Sequence, residues 1–315
     1  MLTYVVRRLI AFIPSLFVVA IVAFSLMHFI PGDPASVMLG PDASINQIDN
    51  LRTKLGLDKP IYVQFCIWLT RAGRGDLGDS VYFHEPVLKI IGMGAETSIL
   101  LMVFSMIVLT GIGVSTGIIA AIRPNGWLDQ LLRTLSLLAA SIPTFWLALN
   151  MMLLFASTLG WLPSSGFPSI IESKDLSNLR YLVLPAFALG FPNSAFIARL
   201  TRSSMLDVLS ADYITVARGK GLPYRTVILK HALRNAAIPV VTVLALTTVG
   251  LVSGAVVTET VFALPGVGRL VVESVLRRDY PVIQGILLVV AILYMVVNLA
   301  TDLLYSVIDP RIRYG

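Results

Sequence analysis

Charge is what this chain has least of. Asp, Glu, Lys and Arg make up only 13% of its 315 residues. A soluble domain carries about a quarter charged residues, so too few are present to cover a watery surface, and much of the surface must face lipid. A single cysteine, Cys66, excludes an intrachain disulfide and argues against a thiolate metal site. The three histidines, His28, His84 and His231, lie far apart and never fall at the paired spacing of a zinc site. No basic cluster interleaved with aromatics accompanies the net charge of +6, which argues against nucleic acid as a partner. A phosphate-binding loop is also missing. The nearest glycine–lysine pairing, Arg218-Gly219-Lys220-Gly221, has neither the upstream glycine nor the following Ser/Thr.

Long apolar runs are abundant: 56% of residues are hydrophobic and the mean hydropathy is +0.83. About 20 apolar residues cross the hydrocarbon core as a helix. Six runs qualify, near Leu9–Ile30, Thr97–Ile122, Leu131–Leu159, Tyr181–Leu200, Ile238–Phe262 and Val282–Ile308. The first follows Arg7 and Arg8, as a signal peptide would. Its apolar part is too long for one, and Pro31-Gly32-Asp33-Pro34 is not a small-residue cleavage site, so it is read as a retained span. Lys and Arg gather in the segments on the N-terminal side, from Arg7 and Arg123 through Arg218, Lys220 and Lys230 to Arg313. The opposite side holds slightly more acids than bases. Both termini are therefore expected in the cytoplasm.

The expected fold is all-α and membrane-integral, with six transmembrane helices. Residues 1–94 hold the first helix and a long external segment, 95–308 a five-helix core, and 309–315 a cytoplasmic tail. Within the external segment, helical patterns run over Ile45–Leu57 and Ile61–Arg71 and are broken by Gly73, Gly75 and Gly78. Gly113 with Gly117, and Gly250 with Gly254, have the spacing that lets helices approach closely, either inside one subunit or across to another. Pro143 and Pro192 interrupt the third and fourth runs.

An ion-driven carrier keeps ionisable residues at mid-membrane. Here the central thirds of the runs hold none, Glu259 and Asp302 lying towards run ends. Without a phosphate-binding loop the chain cannot hydrolyse ATP alone, so an ATP-driven process requires a separate subunit gripping the cytoplasmic face. The inner loop 201–237 offers such a grip. Met205–Arg218, preceded by Ser203-Ser204 as cap, reads as a short amphipathic helix; Gly221 caps its end, and Tyr224–Asn235 forms a second helix after Pro223. The same pattern also suits a hairpin lying on lipid headgroups.

The run Ala211-Asp212-Tyr213-Ile214-Thr215-Val216-Ala217-Arg218-Gly219-Lys220-Gly221-Leu222, with Lys230-His231-Ala232-Leu233-Arg234-Asn235 and Ile238-Pro239-Val240, resembles the cytoplasmic signature loop of binding-protein-dependent ABC importer permeases. More narrowly it resembles the dipeptide/oligopeptide branch, which includes nickel and glutathione importers. Further blocks fit the same branch: Ile30-Pro31-Gly32-Asp33-Pro34, Leu55-Gly56-Leu57-Asp58-Lys59-Pro60, Gly75-Asp76-Leu77-Gly78, Thr258-Glu259-Thr260-Val261-Phe262, Arg278-Asp279-Tyr280-Pro281 and the ending Asp309-Pro310-Arg311-Ile312-Arg313-Tyr314-Gly315. One departure is plain. The signature's Glu-Ala-Ala is Thr215-Val216-Ala217 here, so no role of that glutamate carries over.

The resemblance implies the type I ABC importer permease fold in a bacterial inner membrane. It also implies a second homologous permease subunit, two ABC ATPase subunits that use ATP-Mg, and an external solute-binding protein. No cofactor would be bound by this chain itself. It places ATPase coupling on Asp212, Tyr213, Ala217, Arg218, Gly221 and Leu222. Asn150, Asn193, Pro143 and Pro192 are the candidates for the solute path, and peptides lead as solute, with glutathione, nickel complexes and others open. The alternative is a passive channel or a structural membrane subunit. An intramembrane enzyme would need a Ser–His pair, paired Asp or a His-Glu-x-x-His helix, and none is visible.

Overall fold

The computed structural model describes residues 2–29, 33–40 and 43–308. The expected blocks at Ile30-Pro31-Gly32 and Asp309–Gly315, the tail included, lie outside the described residues.

The chain is helical nearly throughout. Helix α1 (Leu2–Phe29) is followed by α2 (Pro34–Leu39), α3 (Ile45–Leu55) and α4 (Ile61–Gly73). Next come α5 (Val87–Ile122), α6 (Trp127–Ser141) and α7 (Thr144–Met151), which continues as a π-helical stretch over Met152–Thr158. A short α8 (Ile170–Ser173) and a 3₁₀ turn (Leu176–Leu182) lead into α9 (Val183–Leu209) and α10 (Asp212–Gly219). Then α11 (Tyr224–Thr226) runs through a π-helical stretch, Val227–Ala232, into α12 (Leu233–Val261). Last are α13 (Val267–Leu276) and α14 (Tyr280–Ile308).

Among the described residues five helices are long and apolar enough to cross a membrane, or six if one bent pair counts as a single span. That pair is α6 and the helix from Thr144 to Thr158, which meet at 97°. The third run over Leu131–Leu159, expected to be interrupted at Pro143, is broken there, and the break is a sharp bend. Pro143 cannot donate to the carbonyl four residues back, and the residue before a proline is pushed out of helical geometry; Ile142 accordingly sits at ψ 121°. Pro192, expected to interrupt the fourth run, lies instead within an unbroken α9.

The described residues fall into two compact units, within the bounds Met1–Glu96 with Pro265–Leu299 and Thr97–Leu264 with Ala300–Gly315. In the first, Val87, Ile91, Leu270, Val282 and Ile286 form the core. Phe65 and Trp68 of α4 pack on Phe24 of α1, with ring centroids 5.3 and 5.8 Å away. The expected external helices are both present. Ser44 and Gln47 close a reciprocal capping box at the start of α3, which is why the helix begins there. The ten-residue α13 has no counterpart in the sequence reading.

In the second unit α9 is the central element, packed against α6, α7 and α12. Leu101, Leu182, Leu189, Leu251 and Phe262 contribute to its core. The glycine pair of α5 explains how closely α9 approaches. A Cβ on Gly117 would lie 2.5 Å from Thr201 Cβ, and one on Gly113 2.8 Å from the Ser194 carbonyl. This pair thus serves packing inside the chain. A Cβ on Gly254 would meet Leu189 at 2.7 Å, whereas Gly250 faces open space.

Candidate functional site

The candidate site is the elbow formed by the end of α9, by α10, and by the turn into α11. Its construction differs from the sequence reading in two places. The helix expected over Met205–Arg218 is two helices: α9 runs on to Leu209, and α10 begins only at Asp212. Ser203 and Ser204 lie inside α9 and cap nothing. The apolar face of α9 does not stop at the expected boundary, because Ile197, Ala198 and Met205 are all buried, so the helix keeps its packing and continues. Ala211 then turns the chain with an extended backbone, φ −74° and ψ 146°. The second expected helix, Tyr224–Asn235, is likewise not separate, since it is the first part of the helical run that becomes α12.

Helix α10 is held by one face. Ile214 and Ala217 are buried among Met205, Val227, Ile228, Ala232 and Ala236. Burying a side chain such as Ile214 stabilises this seat by roughly 1.5–3 kcal/mol. Ala217 therefore faces its own chain, where its small side chain lets α10 lie close. The outward face carries Tyr213, Val216 and, beyond the turn, Leu222 and Tyr224. Val216, the most exposed of the four, is 56% exposed. Asp212 in the first turn and Arg218 in the last complement the helix dipole.

The turn after α10 depends on Gly221. Its φ of +77° is a left-handed conformation that favours glycine, and its N–H donates to the Arg218 carbonyl at 2.9 Å. Two further contacts fix the elbow. The Asn235 amide donates to the Tyr213 hydroxyl at 2.7 Å, and the Arg218 guanidinium lies 5.9 Å from the centre of the Tyr224 ring. Five of the six expected coupling residues, Asp212, Tyr213, Arg218, Gly221 and Leu222, are exposed on one short stretch. The stretch projects from one buried face, Ile214 and Ala217, and leaves its other face open.

The expected path residues are not gathered at this elbow. Asn150 Nδ2 donates to the Trp146 carbonyl at 2.7 Å and Asn193 Nδ2 to the Leu189 carbonyl at 2.8 Å, so both amide nitrogens are engaged by their own helices.

Sequence reasoning missed the ion pair that braces α6 against α9. Arg202 donates through Nε and a terminal nitrogen to the two Asp129 oxygens, at 2.7 and 2.6 Å, and the Asn125 N–H adds a third donor to the carboxylate at 2.8 Å. The Asp129 side chain is fully buried. The partners are 73 positions apart, and no local spacing connects them. It also missed the bond at 2.6 Å from Ser98 to the buried carboxylate of Glu259.

Residues 113–314 match the family described as binding-protein-dependent transport system inner membrane component, and residues 1–88 match its N-terminal companion family. The dipeptide transport system permease protein DppB of Alkalihalophilus pseudofirmus is 44% identical over 333 residues, covering 100% of both chains. The glutathione transport system permease protein GsiC of Escherichia coli is 42% identical over 314 residues, again covering 100% of both. Among solved structures, the inward-facing MetNI methionine ABC transporter matches with a TM-score of 0.59 at 18% identity. That match covers 70% of this chain and 97% of the other, a likeness of fold.

Proposed function

The chain belongs to the family of binding-protein-dependent transport system inner membrane components, and from that premise we propose that it forms half of the path through which an ATP-driven importer takes up short peptides. It is a multi-pass membrane component, not an enzyme, and ATP is hydrolysed by partner subunits of the transporter.

In our reading the second half of the path is a homologous but distinct permease, and an external solute-binding protein delivers the cargo. Both termini lie in the cytoplasm, on the side of the elbow. Each permease seats its α10 in a groove on one of two ATPases. ATP-driven closure of the ATPases moves the two α10 helices together, and the spans rock from inward-open to outward-open. Asp212, Tyr213, Arg218, Gly221 and Leu222 form the coupling surface, and Ala217 seats it on the chain. Asn150 and Asn193 contribute to the path through their remaining side-chain oxygens, with the break at Pro143 and with Pro192 inside α9.

The observation that carries this reading is the outward apolar face of α10 on a helix anchored only from behind. Peptides lead as cargo because relatives named for dipeptide and peptide transport align end to end with this chain. The test is reconstitution of the complex purified through a tag on this chain. We expect ATP-dependent, binding-protein-dependent accumulation of a labelled dipeptide in vesicles. A chain recovered without any ATPase, or accumulation that ignores ATP, refutes the proposal.

A further inference from the structure

A second site lies in the second unit, at the same end as the elbow. The loop at Asn125, α6 and the later part of α9 frame a recess of about 890 Å³. Arg133, Arg199 and Arg202 line it, and among the described residues that line it none is Asp or Glu. Arg202 is already engaged, because both oxygens of the buried Asp129 carboxylate accept its donors. Arg133 and Arg199 are exposed and make no ion pair among the described residues. Three guanidiniums against that one carboxylate leave two positive charges uncompensated.

What borders the recess decides what can fill it. Helix α6 divides lengthwise into three stripes. Asp129, Ser136 and Ala139 are buried on the side packed against α9. Trp127, Leu131, Leu135 and Leu138, at i, i+4, i+8 and i+11, form an exposed apolar stripe. Gln130, Arg133 and Leu137, which line the recess, lie on the helix between these two. A basic recess bordered by an exposed apolar row has the layout of a phospholipid, charged head beside apolar chains. A soluble phosphate would use the arginines and leave the row uncovered. The recess also sits at the elbow end of the unit. Ala121 of α5 is buried with Met205 and Ile214, and the Tyr224 hydroxyl donates to the Ile122 carbonyl at 3.5 Å, just before the loop that leads to Asn125.

We propose that this recess holds the headgroup of an anionic phospholipid, with its acyl chains laid along Trp127, Leu131, Leu135 and Leu138. The phosphodiester pairs with Arg133 and Arg199, whose planar forks suit phosphate oxygens. A zwitterionic lipid fits less well, because its ammonium is brought to a site with an excess of guanidinium. That the recess faces the cytoplasmic leaflet rests on the function proposed above; its lipid chemistry does not.

The test is photolabelling of the whole transporter complex in phosphatidylcholine nanodiscs. Phosphatidylglycerol or phosphatidylcholine with a photoactivatable acyl chain is added at equal fraction, and adducts on the α6 peptide are counted by mass spectrometry. Each arginine near an anionic headgroup strengthens attraction roughly fivefold, so phosphatidylglycerol is expected to label α6 about tenfold more than phosphatidylcholine. Arg133→Gln with Arg199→Gln is expected to bring the two lipids level. Arg133→Lys with Arg199→Lys should keep most of the preference, and Arg123→Gln, on a basic residue outside the recess, should leave it unchanged. Equal labelling by both lipids, a preference that survives the double glutamine variant, or one lost equally in Arg123→Gln overturns the proposal. Absence of label from either lipid overturns it too, since the stripe is then covered by protein. Unlabelled phosphatidylglycerol is expected to compete and glycerol phosphate is not; equal competition by glycerol phosphate identifies a soluble phosphate and overturns the lipid assignment. ATP-driven uptake is measured on the same samples. Uptake without the lipid preference overturns this site alone, whereas an arginine-dependent preference without uptake overturns the transport reading and leaves the site standing.

Discussion

The side-chain amide of Asn235, on α12, donates to the hydroxyl of Tyr213, on α10, across 2.7 Å. It ties the short projecting helix to a long apolar helix. Tyr213→Phe removes this bond and little else. Such a bond contributes about 0.5–1.5 kcal/mol, so insertion and complex assembly are expected to be normal. ATP hydrolysis per labelled peptide transported is expected to rise several-fold, because the elbow is looser. An unchanged ratio of ATP hydrolysed to peptide moved would show that the bond has no part in coupling.

Gly221→Pro conflicts with the backbone. Proline fixes φ near −65°, whereas Gly221 sits at +77° and donates its N–H to Arg218. Gly221→Ala keeps the N–H and meets no neighbouring atom, so it carries only the strain of the left-handed region, about 1–2 kcal/mol. Uptake is expected to fall modestly in the alanine variant and to be abolished in the proline variant. The protein itself should remain inserted, as judged by membrane fractionation. Equal uptake in both variants would contradict the turn assignment.

The two glycine pairs separate packing from spacing. Gly117→Ala places a methyl against Thr201 and should lower the thermal unfolding temperature in detergent by several degrees. Gly250→Ala meets open space within the chain and replaces a poor helix former, a gain of up to about 1 kcal/mol. The reverse order of stabilities would refute the placement of α5 against α9.

Breaking the buried pair is expected to be costly. Asp129→Asn leaves Arg202 without its countercharge, and losses of about 3–5 kcal/mol are typical when one partner of a buried pair is removed. The expected signs are low yield and early thermal aggregation. Asp129→Asn combined with Arg202→Gln should recover part of the loss, since no charge is then stranded. A double variant no better than the single one would show that the pair contributes no specific coupling.

The spans were legible because apolar runs of the required length are rare in any other setting, and α3 was legible from the helical pattern over Ile45–Leu57, whereas its capping box, Ser44 with Gln47, was not singled out. The break at Pro143 was half legible: the proline marks the place, but the 97° bend depends on what packs around it. The boundary between α9 and α10 was misread because the apolar pattern passes through Leu209 without a strong stop, and only Ala211 in extended conformation ends the helix. Contacts such as Asp129 with Arg202 and Asn235 with Tyr213 were invisible, because they join residues on different helices. The elbow's residues were found by resemblance, but the inward face of Ala217 is a fact of packing that the resemblance does not contain.

The central claim is that the outward face of α10 sits on an ATPase, and the most direct measurement is site-specific cross-linking. With Cys66 replaced by serine, a single cysteine at Val216, which is 56% exposed, is compared with one at Ile214, which is buried. A short photoactivatable thiol reagent is applied to native membranes. The account predicts that the label at position 216 joins this chain to an ATPase subunit, with a yield that changes when ATP is added, and that position 214 gives none. Cross-links from position 216 to lipid alone, whatever the nucleotide, would contradict it and leave α10 as a helix resting on the membrane surface.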